Sequence, residues 1–266
     1  MFTIVAERIN CTRKTIREAT EARDVAFIQD EAAKQAAAGA TYIDVNAGSH
    51  PDTELANMQW LLEQVQTATQ LPICLDSANP RVVQAGLAAL DGRQAMINSI
   101  LLDDEKLDTL LPLVQEYQTN VIALCMSHEG MPNTAAERLT IAGKLLEKTR
   151  AAGINDDRVY IDPLVRVVSA EPEQGAEFLY AIRRIREAYP SVHFCAGISN
   201  VSFGLPLRSV LNRTFVSLAI WEGLDGAILD PLDKGVMSQL YATRALTGQD
   251  EFCMEYVTAA REGLLA

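Results

Sequence analysis

The chain has 266 residues, 48% of them hydrophobic and 22% charged, with a formal net charge of −12. That is the make-up of a folded globular protein and excludes a disordered tract. The acidic balance, with no basic stripe, excludes a nucleic-acid binder. No apolar run approaches the ~18 residues of a spanning helix, and no secretory leader pattern opens the chain, so a cytoplasmic protein with no membrane contact is expected. The only basic cluster, Arg183, Arg184 and Arg186, lies among acids and reads as a solvated helix face. The cysteines, Cys11, Cys74, Cys125, Cys195 and Cys253, are scattered, with no C-x-x-C pair. Cys74, Cys125 and Cys195 sit in strand-like runs and read as buried small hydrophobes. His50, His128 and His193 are far apart, so no metal site is expected.

Eight apolar runs recur along the chain, each followed by a segment of helical period. The first is Thr3-Ile4-Val5-Ala6-Glu7, and a helix is predicted over 22–38, stopped by Gly39. Thr41 to Asn46 follows, then a helix over 53–68 with Leu55, Met58, Leu61, Leu62 and Val65 on one face. Pro72-Ile73-Cys74-Leu75-Asp76 precedes a helix over 80–90, opened by Pro80. Gln94-Ala95-Met96-Ile97-Asn98 precedes a helix led by Asp103, Asp104 and Glu105, acids that favour a helix N-terminus. The fifth run is Asn120 to Met126, with a helix over 135–152; the sixth is Arg158 to Asp162, with a helix over 172–189. The seventh, Phe194-Cys195-Ala196-Gly197-Ile198-Ser199-Asn200, precedes a helix opened by Pro206 and ending near Trp221. Gly226-Ala227-Ile228-Leu229-Asp230 is the eighth, before a helix over 232–246. A last helix over 252–262 is expected outside the sheet.

Strict alternation of strand and helix implies a parallel sheet, because parallel strands need crossovers. Eight repeats in a chain near the roughly 250 residues of one barrel favour closure. The turn after the first run, Glu7-Arg8-Ile9-Asn10, has no glycine, unlike the glycine-rich turn of an open dinucleotide-binding sheet. The expected fold is α/β, a TIM (β/α)8 barrel, in a single domain over 1–266.

Nearly every run ends in a carboxylate or amide: Glu7, Asp44 and Asn46, Asp76, Asn98, Asp162, Asn200, Asp230. In a barrel these ends converge on one mouth. Asp and Asn also mark turns after strands for local reasons, but such turns do not account for seven of eight runs together. Phosphoryl transfer would want a glycine nest, Lys or Arg, and hydrolysis a metal cluster or an activated nucleophile. A neutral heterocycle rich in N–H groups fits the ring better. The aminopyrimidinone edge of a pterin offers adjacent N–H donors to a carboxylate, and its carbonyl and ring nitrogens suit two-sided amides. Each charge-assisted bond is worth ~1.5–3 kcal/mol.

The motifs Glu7-Arg8-Ile9-Asn10, Asp44-Val45-Asn46-Ala47-Gly48, Cys74-Leu75-Asp76-Ser77, Ala95-Met96-Ile97-Asn98-Ser99, Tyr160-Ile161-Asp162-Pro163-Leu164, Gly197-Ile198-Ser199-Asn200-Val201-Ser202 and Asn212-Arg213-Thr214-Phe215 occur in this order. Together they resemble the methyltetrahydrofolate:corrinoid (iron–sulfur) protein methyltransferases, relatives of the folate domain of cobalamin-dependent methionine synthase. The resemblance covers essentially the whole chain. It implies a barrel, a homodimer, and a pterin at the barrel mouth. It implies that Asp76, Asn98 and Asp162 hold the ring, that Gly197 and Ser199 line it, and that Glu7, Asn10, Asp44 and Asn46 lie nearby. Asn200 matches the residue that reaches N5, and Arg208 matches an arginine on the corrinoid-partner side. Some members carry glutamine where this chain has Phe203, so no polar role passes to that position.

The activity implied moves a methyl group between N5 of tetrahydrofolate and the cobalt of a corrinoid, or cobalamin, carried by a partner protein. Folate is then a substrate, and no tightly bound cofactor or metal is expected. Either direction is open, as in acetyl-CoA synthesis or in demethylation of phenyl ethers and methylamines. The motifs hold no obvious general acid, so solvent is the expected proton source. Two rivals remain at this stage. Dihydropteroate synthase would need diphosphate contacts, for which Arg8 and Arg166 are the candidates, and a non-catalytic pterin-binding module would need no chemistry.

Overall fold

The computed structural model describes residues 2–266. Strands β1 (Thr3–Asn10), β2 (Tyr42–Asn46), β3 (Ile73–Asp76), β4 (Ala95–Leu102), β5 (Asn120–Ser127), β6 (Val159–Asp162), β7 (His193–Phe194), β8 (Ala196–Gly197) and β9 (Gly226–Leu229) form one sheet. Every strand pair is parallel, in the order β7-β6-β5-β4-β3-β2-β1-β9-β8. The seventh predicted run is two short strands. β7 pairs with β6 through His193 and Phe194, and β8 pairs with β9 through Ala196 and Gly197. Cys195 joins the halves and donates its N–H to Ile161 O at 3.1 Å. In a barrel the strands are tilted and staggered, so a short strand overlaps one neighbour low and the other high. The two ends of the sheet therefore meet at Cys195, and the barrel closes there.

The helices are α1 (Lys14–Glu21), α2 (Val25–Ala37), α3 (Pro51–Ala68), α4 (Pro80–Ala89), α5 (Asp104–Glu116), α6 (Ala135–Ala151), α7 (Gln174–Ala188), α8 (Arg208–Glu222), α9 (Lys234–Leu246) and α10 (Met254–Arg261). Their starts are chemical. Asp24, Asp103 and Asp233 accept from backbone N–H groups of α2, α5 and α9, and Thr134 with Glu137 forms a reciprocal capping box on α6. Sequence periodicity missed α1, which is short, mostly polar and buries only Ile16, Ala19 and Thr20. It also placed the start of α8 at Pro206. Leu207, at φ +50° in the left-handed region, breaks the chain there, and the helix begins at Arg208. Among the described residues no helix is long and apolar enough to cross a membrane.

Two apolar layers hold the barrel. The larger lies between strands and helices and includes Ile43, Leu61, Leu75, Ile97, Val121, Ile161, Phe178 and Ile220. The smaller fills the interior with Val5, Tyr42, Cys74, Met96, Ile122, Tyr160 and Cys195, with Ile228 packed on it. The interior thus takes one side chain from each strand position around the ring. Cys74, Cys125 and Cys195 are buried as expected; Cys11 is buried too, and Cys253 is exposed. The basic helix face needs one correction. Arg183 and Arg184 are exposed, but Arg186 is half-buried. Its guanidinium donates to Val192 O (2.5 Å) and Gly223 O (2.9 Å), contacts Asp225, and lies over the Phe194 ring. It clamps the lower end of the closing seam, where Asp225 also accepts from Phe194 N at 2.6 Å.

Candidate active site

The site follows from strand parity. Side chains two residues apart on a strand face the same way. Two residues beyond Val5, Tyr42, Cys74, Met96, Tyr160 and Ile228 stand Glu7, Asp44, Asp76, Asn98, Asp162 and Asp230. Two beyond Ile122 is Leu124, and two beyond Cys195 is Gly197. A polar ring therefore sits directly on the apolar interior layer, with one apolar member and one gap. The register staggers the ring, as tilted barrel strands require: Asp76 is opposite Asn98 and Asn46, but Asp44 is opposite Cys74 and Asn98 is opposite Ile122.

The amides of the ring donate to its acids. Asn46 Nδ2 donates to Asp76 Oδ2 at 2.9 Å, and Asn98 Nδ2 donates to Asp44 Oδ1 at 3.3 Å. Asn46 Oδ1 accepts from Gly48 N at 2.9 Å. Asp162 Oδ1 accepts from Leu164 N at 2.7 Å. Among the described residues, the second carboxylate oxygens of Asp76 and Asp162 accept nothing, and they are available to a ligand. Burial, and then the charge of Asp76, pushes the Asp44 carboxyl well above the usual range. Burial, with Glu54 adding, raises Asp76. Burial raises Asp162 to about 7, against the opposing Leu164 N–H and the Arg138 charge. A ligand that brings N–H donors relieves this desolvation.

The residues after β8 correct one expectation. Ser199 and Asn200 do not end a strand; they lie in a 3-10 turn, Ile198–Ser202. Phe203 N donates to Asn200 O at 3.1 Å, the i to i+3 bond of such a turn. The turn folds Asn200 back. A Cβ added to Gly197 would lie 3.1 Å from Asn200 Nδ2. The amide of Asn200 thus occupies the space that a side chain on β8 would fill, and it closes the gap in the ring. Asn200 is exposed.

Arg208 secures this turn. Its Nη2 donates to Ser199 O at 2.7 Å and its Nε to Ser202 Oγ at 3.1 Å, while Ser202 Oγ donates to Asn212 Oδ1 at 2.7 Å. Arg208 also lies 5.9 Å from the centroid of the Phe203 ring, which is 65% exposed. Asn10 reaches the mouth through an irregularity in β1. The register shifts between Ala6 and Ile9, which turns Ile9 to the helices and sets Asn10 beside Asn46. Asn10 Oδ1 accepts from Thr12 N (2.9 Å) and Thr12 Oγ1 (2.7 Å), so this side chain braces the following turn.

Arg13 and Arg138 lie outside the sequence-based set, and Asp230 enters it only as a polar strand end. Asp230 belongs to the ring and its strand-end position already signalled it. Arg13 lies in the turn before α1 and carried no signal. Arg138 reads as an ordinary helical arginine, yet it is wholly buried. Its Nε donates to Pro163 O at 2.6 Å and its Nη2 to Gln174 Oε1 at 2.7 Å. It thereby holds the turn that aims Leu164 N–H, at φ +66°, onto Asp162. Arg8 and Arg166, the candidates for diphosphate contacts, are already engaged. Arg8 pairs with Glu31 (2.8 Å) and Asp230 (2.7 Å), and Arg166 with Glu171 and Asn133.

Two cavities adjoin the ring. One, of about 330 Å³, is lined by Glu7, Arg13, Ser199, Arg208, Asn212 and Asp230 among others. The other, of about 290 Å³, lies against Asn200 and Phe203, with Met131, Leu164 and Arg166.

The family model described as pterin binding enzyme matches residues 6–230. A methylcorrinoid:tetrahydrofolate methyltransferase of Eubacterium limosum is 36% identical over 262 residues, 98% of this chain and 96% of its own. The methionine synthase of Mycobacterium tuberculosis is 34% identical over 239 residues, 85% of this chain but only 20% of that much longer protein. Among solved structures, a dihydropteroate synthase of Xanthomonas albilineans with 4-aminobenzoic acid superposes with a TM-score of 0.71 at 20% identity, covering 94% of this chain and 92% of that one. At that identity the likeness speaks for the barrel fold alone.

Proposed function

The chain belongs to the pterin-binding enzymes, and we propose that it moves a methyl group between N5 of tetrahydrofolate and the cobalt of a corrinoid carried by a partner protein. The observation that carries this reading is the amide of Asn200 filling the β8 gap of an otherwise acidic and amide-rich ring. The full-length likeness to a methylcorrinoid:tetrahydrofolate methyltransferase supports it.

Each side chain then has work to do. Asp162 and Asp76, each with an uncommitted carboxylate oxygen, accept the pterin N–H groups, and Asn98 supplies a carbonyl oxygen. Asp44 and Asn46 hold Asn98 and Asp76 in place through the two amide-to-acid bonds. Gly197 leaves room for the Asn200 amide, Ser199 lines the pterin, and Asn200 faces N5. A tertiary amine is a poor leaving group, so N5 must gain a proton or a strong hydrogen bond as its bond to methyl breaks. A fixed amide stabilises that change more in the transition state than in the ground state. The corrinoid approaches from the open side, past Phe203 and Arg208. One site serves both directions, and the direction in the relative's name, from methylcorrinoid to tetrahydrofolate, is the first to test.

The purified protein mixed anaerobically with tetrahydrofolate and methylcobalamin is expected to convert the methylcorrinoid absorbance in a folate-dependent way. Dihydropteroate synthesis from a pterin diphosphate and 4-aminobenzoate is expected to be absent. Failure to transfer methyl in either direction, with free or protein-bound corrinoid, would overturn the assignment.

The working unit is a homodimer in this reading. Val210, Leu211, Leu218 and Trp221 form an exposed apolar stripe down α8, with Trp221 68% and Val210 58% accessible. Such a stripe at helical spacing suits a self-complementary contact with a second copy. Sedimentation should give twice the chain mass, and the double variant Leu218→Glu, Trp221→Glu should sediment as a monomer. An unchanged mass for the variant would place the contact elsewhere. Five unpaired cysteines fit a reducing, cytoplasmic setting.

A further inference from the structure

We propose that Glu7 carries the proton of the reaction, giving it to N5 as methyl leaves and taking it back when methyl arrives. The inference rests on the methyl-transfer reading above and assigns the proton source that the motifs left to solvent.

Three observations bear it. Glu7 stands where the register of β1 shifts, and its surroundings place it at the mouth: it lines a cavity with Arg13, Arg208 and Asp230, and its charge is felt by Asp44. It opens onto the cavity of about 330 Å³ that Ser199 and Arg208 also line, while Asn200, the next residue of that turn, lines the cavity of about 290 Å³. Finally, Glu7 and Asp230 are a pair of neighbouring carboxyls held in opposite circumstances. Asp230 accepts from Arg8 Nη1 at 2.7 Å through one oxygen and from Leu232 N at 2.9 Å through the other. Glu7 accepts no hydrogen bond among the described residues, although it is largely enclosed. Of the two, the unpartnered Glu7 is the one whose carboxyl burial pushes toward the protonated form.

The charges around Glu7 set its readiness. Burial, and then the Asp230 carboxylate just after β9, raise its pKa; Arg13 before α1 and Arg208 on α8 pull it back. Its own charge in turn bears on Asp44 of β2. A carboxyl pushed toward its protonated form by burial and drawn back by two guanidiniums is suited to giving up a proton and recovering it.

The step balances. When methyl leaves folate, the N5–CH3 bond breaks and a cobalt–carbon bond forms from the electron pair of the reduced cobalt. The Glu7 proton passes to N5, leaving a carboxylate and tetrahydrofolate. When methyl arrives, the N5 lone pair takes the methyl group, the cobalt keeps the bonding pair, and the N5 proton returns to Glu7.

The test compares wild type, Glu7→Gln and Glu7→Asp at saturating folate, with single-turnover rates in both directions across pH and a separate folate Kd. In wild type the rate of methyl leaving N5 should fall as pH rises through the Glu7 pKa, and the opposite rate should rise. Glu7→Gln should lose roughly tenfold in both directions, less than a sequestered general acid because water reaches this mouth. It should also lose that pH dependence, with folate Kd within about threefold. Glu7→Asp should recover part of the rate and the pH dependence. Unchanged rates in Glu7→Gln, a limb persisting at the same pH, or a loss of affinity as large as the loss of rate would each overturn the proton role while leaving methyl transfer standing. Wild-type protein that binds tetrahydrofolate but transfers methyl in neither direction would overturn both.

Discussion

Replacing Asn200 by alanine should lower the rate of methyl transfer by ~10²–10³-fold, the usual cost of removing one fixed donor aimed at developing charge. Folate affinity should fall much less, by no more than about tenfold. The asymmetry follows from where the amide sits. The acids that would grip the pterin edge, Asp76 and Asp162, lie in the ring and bond to Asn46 and Leu164 N rather than to Asn200. The Asn200 amide rests instead over Gly197, at the β8 gap. Its removal leaves the floor of the site intact and takes away the group facing N5. Asn200→Asp is a sharper variant. It keeps the size and the acceptor but cannot donate to neutral N5, so it should retain binding and recover part of the rate. Single-turnover kinetics with a parallel Kd measurement read both quantities. Equal losses in rate and affinity for the alanine variant would reduce Asn200 to a binding residue.

The second large effect concerns Asp162. Asp162→Asn should weaken folate binding by roughly 3 kcal/mol, about a hundredfold or more in Kd. It places an amide where a carboxylate would accept pterin N–H groups. The same substitution should stabilise the ligand-free protein above pH 7. Burial raises the folded carboxyl to about 7, while in the unfolded chain it titrates near ~3.9. Between those values the folded state holds a proton that the unfolded state has released. Stability therefore declines as pH climbs through that window, and above it the full cost is present, on the order of 4 kcal/mol at most. Asparagine carries no such cost. Thermal melts should show Asp162→Asn above wild type at pH 8 and close to it near pH 4. Wild-type folate affinity should weaken as pH falls below about 7, because the carboxylate must form before it can accept. Wild-type affinity in the asparagine variant at pH 8 would remove Asp162 from the pterin contacts.

Much of the ring was legible in the chain itself. The alternation of interior and helix-facing residues on β2, β3, β4, β6 and β9 points Asp44, Asp76, Asn98, Asp162 and Asp230 to one mouth, and parity requires only that these runs be strands. The helix boundaries were legible where a proline or a glycine marks them, as at Pro80 and Gly39. Other features have no local signature. The break at Cys195 arises because the closing strand must bond β6 with one half and β9 with the other. The burial of Arg138 depends on the approach of the 163–164 turn and of Gln174 from other parts of the chain. Arg186 reads as surface charge until the seam beneath α7 engages it.

The same division runs through the chemistry. By itself the sequence determined the barrel, the acid-and-amide character of its mouth, and the residue types facing inward, because a period of two needs no tertiary information. Only the tertiary structure decided that Ser199 and Asn200 leave the strand in a 3-10 turn, so that the amide fills the gap at Gly197. Only it decided which of two neighbouring carboxyls is partnered, since Asp230 takes Arg8 and Glu7 takes nothing. Hydrogen-bond partners and burial are set by closure of the ring, which brings strands over two hundred residues apart, β1 and β9, into contact. Protonation follows partners and burial, and so it could not be read before the fold was in hand.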